Sequence, residues 1–194
     1  MEFQEFPKMA RYSREVIVSE KIDGTNAAVV IESANPGSNA IATVGGFDLF
    51  AQSRTRFITP TDDNAGFARW TVEHAEELLK LGTGRHFGEW FGSGIQRNYG
   101  LKEKRFALFN VSRWDDPEAR PACCHVVPTL WRGNFSDLNA DFHLNCLAVA
   151  GSRAVPGYMR PEGIVVFHVA AGIGFKKTIE KDEMPKSVAE RQVA

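Results

Sequence analysis

The chain lacks any apolar run near the length a bilayer requires, which excludes a helical membrane span. It opens Met1-Glu2-Phe3-Gln4-Glu5, with acids and no apolar core behind them, so a secretory leader is not expected and a cytoplasmic setting is. Three cysteines, of which Cys123 and Cys124 are adjacent, are too few for a disulfide framework. Cys123-Cys124-His125 has no second Cys or His pair at zinc-ligand spacing, so it reads as a buried strand. His74, His86, His125, His143 and His168 likewise show no paired ligand spacing and read as structural. A formal net charge of -1 excludes a protein that coats nucleic acid through an overall basic surface. Internal repeats and low-complexity tracts are also missing.

What is present is a globular composition. With 194 residues and 43% hydrophobic content, the chain suits a single domain, with residues from about Glu180 onward as a loose charged tail. Apolar runs rich in β-branched and aromatic residues predict strands over 15–18, 26–31, 85–90, 106–111, 163–169 and 174–179. Phe67, Trp70, His74, Leu78 and Leu81 recur at helical spacing between an Asp62-Asp63-Asn64 cap and Gly82. A second helix is expected over about 136–149, with Leu138, Phe142 and Cys146 on its buried side. Asn35 to Asn39 reads as a hairpin loop and Asp115 to Pro121 as an exposed connection. Strands outnumber helices and do not alternate with them, which favours an antiparallel α+β domain.

Local basic clusters stand out against the near-neutral total: Arg54 and Arg56, the stretch from Arg97 to Arg105, and Lys176-Lys177. Most informative is Glu20-Lys21-Ile22-Asp23-Gly24-Thr25-Asn26, set between the apolar runs Val16-Ile17-Val18 and Ala27 to Ile31. A lysine fixed at a strand end beside carboxylates and cations can lose its proton and attack phosphorus. Gly24 is expected at a turn that needs positive φ.

This stretch resembles the Lys-x-Asp-Gly element of the covalent nucleotidyltransferases, which include ATP-dependent DNA and RNA ligases and GTP-dependent mRNA capping enzymes. Further elements of that superfamily follow in order. Ser53-Arg54-Thr55-Arg56, Phe87-Gly88-Glu89-Trp90-Phe91-Gly92, Phe106 to Val111, Pro161-Glu162-Gly163-Ile164-Val165-Val166 and Phe175-Lys176-Lys177-Thr178 each resemble one. Glu20 before the lysine and Asn26 after it, where DNA ligases and capping enzymes typically carry arginine, are similar to RNA ligases of the phage and editing type.

The resemblance implies an ATP-grasp-like domain, two mainly antiparallel sheets flanked by helices and enclosing a nucleotide groove. It implies an ATP-dependent RNA ligase that joins 5′-phosphate and 3′-hydroxyl ends through a lysyl-AMP intermediate and a 5′-adenylated strand, in RNA repair. Lys21 would be the nucleophile. Glu162, then Asp23, would hold Mg²⁺ or Mn²⁺, largely through water. Glu20 would help read the adenine edge, Asn26 would belong to the ATP site, Glu89 would bind the ribose, and Phe109, with Phe106 as competitor, would stack on adenine. Arg54 would bind ribose or a 5′-phosphate strand, and Lys176 or Lys177 the α-phosphate.

Two departures bear on these assignments. Thr178 stands where a second lysine of the terminal Lys-x-Lys element is usual, and the appended domain of larger relatives is not seen. The resemblance therefore implies a monomer that acts on RNA ends or a nicked duplex, with an accessory protein in place of that domain, and a host cytoplasm if phage-encoded. Two other readings are a noncatalytic nucleotide- or RNA-binding module of this fold, and a DNA nick ligase or RNA 5′-adenylating enzyme.

Overall fold

β-Branched and aromatic residues on one face of short alternating segments make strands whenever a second layer buries that face. The structure, a computed structural model, describes residues 1–180 and Asp182. The strands are β1 Glu15–Lys21, β2 Thr25–Ser33, β3 Ala42–Val44, β4 Phe47–Ser53, β5 Phe57–Ile58, β6 Gly84–Gly92, β7 Lys104–Leu108, β8 Cys124–Val126, β9 Thr129–Asn134, β10 Gly163–His168 and β11 Ile173–Thr178. The α-helices are α1 Phe67–Glu73, α2 Ala75–Leu78, α3 Val111–Trp114 and α4 Ala140–Ala150. Nearly all of the expected tail lies outside the described residues.

The chain forms two compact units. The first comprises Met1–Lys21 and the chain from Pro128 onward, and carries an antiparallel sheet in the order β11-β10-β1-β9. Val16, Val18, Ile164 and Val166 project from one face of it onto Leu144 and Leu147 of α4. These two leucines, not Phe142 and Cys146, are the buried side of α4: Phe142 is 58% exposed and Cys146 is exposed. The helix begins at Ala140, capped by Asn139 accepting from the Phe142 N–H, so its core stripe runs through 140, 144 and 147.

The second unit, Ile22–Val127, carries the strand order β3-β4-β2-β6-β7-β8, with β5 on β4. Its pairs are antiparallel except β7 with β8. Val29, Ile31, Leu49, Trp90, Phe106 and Leu108 meet Phe67, Leu78 and Leu81 in its core. Each such fully buried side chain contributes about 1.5–3 kcal/mol.

The helical stretch read as continuous from 67 to 81 breaks at His74 (φ −110°, ψ 18°). His74 Nδ1 lies 2.9 Å from the Trp70 carbonyl, in competition with the helical ladder. At the start of α1, Asp63 accepts from the N–H groups of Ala68 and Arg69, so the acidic cluster supplies the cap from outside the first turn.

The segment 35–39 is not a hairpin loop, because β4 lies between β2 and β3. It crosses over and is anchored by the buried Asp48, which accepts from the Asn35 N–H at 3.0 Å and from Thr43 Oγ1 at 2.6 Å. Hydrogen bonds from Ser38, Thr43 and Asn35 hold the Asp48 carboxyl below its ordinary range. A lowered carboxyl pKa contributes stability that is present above the unfolded value and lost as pH falls through the folded one. Asp48→Asn is therefore expected to lower Tm at neutral pH, with its deficit from the parent shrinking below the usual carboxylate range. Thermal melts of both proteins across pH measure this.

Candidate active site

In the first unit, β1 pairs with β10 in regular antiparallel register, with Lys21 opposite Gly163. Glu162, one residue before β10, thereby comes within reach, and Lys21 Nζ donates to Glu162 Oε2 at 2.6 Å. The side chains are 22% and 6% exposed. Lys21 is the sole protein partner of the Glu162 carboxylate among the described residues.

Strand alternation sorts the other candidates of this unit. Val16, Val18 and Glu20 lie on the α4 side of β1, and Ile17, Ser19 and Lys21 on the other. Lys177 is paired with Ile164, so it shares the α4 side and donates to Asp141 of α4 at 2.8 Å. That hydrogen bond raises the Lys177 amine above its ordinary range. Lys176, paired with Val165, lies on the Lys21 face. Of the two lysines, only Lys176 shares a face with Lys21.

Glu20 is occupied differently from what the resemblance implies. Its carboxylate is 1% exposed and accepts from Ser152 Oγ at 2.6 Å and from the N–H groups of Arg153 and Ala154 at 2.7 and 2.9 Å. Burial raises its carboxyl, and these donors oppose the shift. Glu20 ties down the chain that follows α4, on the sheet face opposite Lys21.

In the second unit, Asn26 is paired with Glu89 across β2 and β6. Glu89 is 8% exposed; its Oε1 accepts from the Gly24 N–H at 3.0 Å and its Oε2 from Asn26 Nδ2 at 3.4 Å. Asp23 Oδ2 accepts from Arg97 Nε at 3.0 Å, and the Asp23 N–H donates to the Tyr99 hydroxyl at 2.8 Å. Asn64 Nδ2 donates to Thr25 Oγ1 at 3.1 Å. Sequence reasoning misses Arg97, Tyr99 and Asn64 as partners of this turn. The basic run at 97–105 is visible in the sequence, but nothing local indicates that Arg97 reaches Asp23.

Phe106 is fully buried among Phe67 and Trp70, which removes it as an aromatic platform. Phe109 lies just past β7 with its N–H donating to the Phe87 carbonyl and is 40% exposed. Arg54, in the turn after β4, is exposed and makes no ion pair or hydrogen bond among the described residues.

Among the described residues no three His, Cys, Asp or Glu side chains converge as a metal cage. Glu162 nevertheless fits a hydrated divalent ion, which is commonly held by one or two carboxylates plus substrate phosphates. Asp23 fits less well, because Arg97 already occupies its carboxylate.

The RNA ligase family model matches residues 14–178. The chain belongs to the RNA ligase family. Among solved structures it is similar to Naegleria gruberi RNA ligase. A mutant of that ligase with ATP and Mn has 18% identity and a TM-score of 0.59, over 93% of this chain and 52% of that one. The ligase with PPi has 20% identity and a TM-score of 0.56, over 93% and 52%. An apo mutant has 18% identity and a TM-score of 0.60, over 94% and 52%. The chain thus spans about half the length of these structures and shares their fold. No curated protein matches it. The α+β class with two mainly antiparallel sheets, expected from the sequence, is the fold of this RNA ligase.

Gly24 has a different reason from the one expected. Its φ is not in the left-handed region; a Cβ there would lie 2.5 Å from the Trp90 carbonyl oxygen and 2.8 Å from Phe91 Cβ. Gly24→Ala is expected to destabilise the protein by about 1–3 kcal/mol through this overpacking. The displaced turn carries the N–H that donates to Glu89. Chemical denaturation of parent and variant measures the loss.

Proposed function

We propose that this RNA ligase family member is an ATP-dependent adenylyltransferase that joins RNA ends, with Lys21 as its nucleophile and residues 1–194 working as one catalytic domain. The observation that carries the reading is the Lys21–Glu162 contact at 2.6 Å, both groups largely withdrawn from water. The amine of Lys21 releases a proton to solvent and its Nζ attacks the α-phosphorus of ATP. An N–P bond forms, the bond to the bridging oxygen breaks, and pyrophosphate leaves with that oxygen. A 5′-phosphate oxygen of RNA then attacks the same phosphorus, the N–P bond breaks, and the lysine regains its proton. Finally a 3′-hydroxyl loses its proton to solvent and attacks the 5′-phosphorus, the anhydride bond breaks, and AMP leaves with the bridging oxygen.

Glu162 would hold Mg²⁺ or Mn²⁺, and such an ion supplies shielding of phosphate charge. Lys176, on the face of β11 that Lys21 shares, is assigned to the α-phosphate. Glu89 is assigned to the ribose, Asn26 to the nucleotide, Phe109 to the adenine and Arg54 to ribose or strand phosphate. Asp23 acts through Arg97 to hold the turn that follows Lys21.

Two outcomes are expected. Incubated with ATP and Mg²⁺, the parent gains the mass of one AMP, whereas Lys21→Ala gains none and still joins a strand supplied with a 5′-adenylate. Glu162→Gln adenylates about 10²-fold or more slowly, the scale typical of losing one group that stabilises transition-state charge. A Lys21→Ala protein adenylated as readily as the parent would overturn the assignment. A parent that bound RNA but gained no mass would favour a binding module.

A further inference from the structure

The basic stretch between Arg97 and Arg105 is only partly used by the turn after Lys21. Arg97 pairs with Asp23 and Arg105 with Glu103, whereas Lys102 has neither hydrogen bond nor ion pair among the described residues. Lys102 and Lys104 line a surface depression of about 410 Å³ together with Arg69, Trp70, Glu73 and Ser93. The depression lies wholly in the second unit.

The fold explains why these groups meet. Lys104 starts β7 in step with Phe106 and Leu108, so it emerges on the core side of the sheet, beside α1. There Lys104 Nζ donates to the Ala65 carbonyl at 2.8 Å, just before α1, which brings Arg69, Trp70 and Glu73 to the same rim. Trp90, at the bottom, faces opposite to its neighbour Glu89 on β6, so the depression is on the sheet face away from Glu89.

Its lining carries three cations, Arg69, Lys102 and Lys104, against one carboxylate, Glu73, a balance of +2 in a chain whose formal net charge is -1. Asp63, 3.4 Å from Arg69, offsets part of this. Exposed lysines concentrated beside an indole and a hydroxyl form the combination that tracks a sugar-phosphate backbone: the cations neutralise phosphates and the aromatic edge offers contact to a base.

We propose that this depression is a second strand-binding subsite, which takes the phosphates of single-stranded RNA on Lys102, Lys104 and Arg69. The proposal rests on the RNA-joining reading for the identity of its ligand. Glu73 adds a carboxylate to the lining, which weakens the subsite for phosphates.

The test uses a short fluorescein-labelled single-stranded RNA with hydroxyls at both ends, which cannot be adenylated or joined, titrated by anisotropy over a range of salt. Lys102→Glu is expected to raise Kd about fivefold or more and to reduce the log Kd against log salt slope by about 0.7 for each phosphate that is no longer neutralised. Glu73→Gln is expected to lower Kd. Calorimetric titration of pyrophosphate should be the same in parent and Lys102→Glu, which separates a strand subsite from a site for free phosphate. Unchanged RNA affinity and salt slope in Lys102→Glu, or a change confined to pyrophosphate, would overturn the proposal. Lys102 is exposed, so the variant's fold is not at risk. ATP-dependent mass gain, followed in the same proteins, reports on the RNA-joining reading separately: its absence from the parent would count against that reading whatever the RNA titration shows.

Discussion

The Lys21–Glu162 contact exists because β1 and β10 run antiparallel with Lys21 opposite Gly163, which leaves the preceding glutamate at the end of the pairing and within 2.6 Å of the amine. Register in a buried sheet is set by its apolar alternation, since a slip of one residue would turn Val16, Val18, Ile164 and Val166 away from α4. Gly163 itself leaves no choice of side chain: a Cβ there would run into the Lys177 carbonyl oxygen, so β11 lies as close as it does only against a glycine. An ion pair this withdrawn from water is costly to break from one side, because the remaining charge stays buried without a partner. The register that packs the core is therefore the register that sets up the candidate chemistry.

The same alternation assigns different work to neighbouring charged residues. Glu20 and Lys177 face α4 and serve the scaffold, the first by gathering the Ser152–Ala154 donors and the second by pairing with Asp141. Lys21 and Lys176 face the other way. In the second unit Glu89 and Asp23 are both spent on the turn that follows Lys21, through the Gly24 N–H and through Arg97.

Much of this was legible in the residues. The strands at 15–18, 26–31, 85–90, 163–169 and 174–179 stand where alternation and β-branching put them, and the Lys21, Glu89 and Glu162 elements were recognisable in order. β3, β4, β5 and β9 escaped because they are short or half-exposed; β3 and β5 are held only by the neighbouring β4, and β9 by β1, more than 100 residues away. The buried face of α4 was misjudged because a short helix with apolar residues on several sides offers more than one stripe, and the sheet chooses among them. Helical periodicity also could not show that the His74 side chain would compete for the Trp70 carbonyl. Pairings across 74 and 132 residues, Asp23 with Arg97 and Glu20 with Ser152, have no local trace at all.

Everything proposed for the site depends on one covalent claim, that the amine held by Glu162 is the atom that takes AMP. Peptide mass mapping of the protein after reaction with ATP and Mg²⁺, under mildly alkaline conditions that preserve a phosphoramidate, tests it most directly. The predicted result is AMP on the peptide that contains Lys21, with fragment ions assigning it to that side chain. AMP carried on any other residue, with Lys21 unmodified, would contradict the claim.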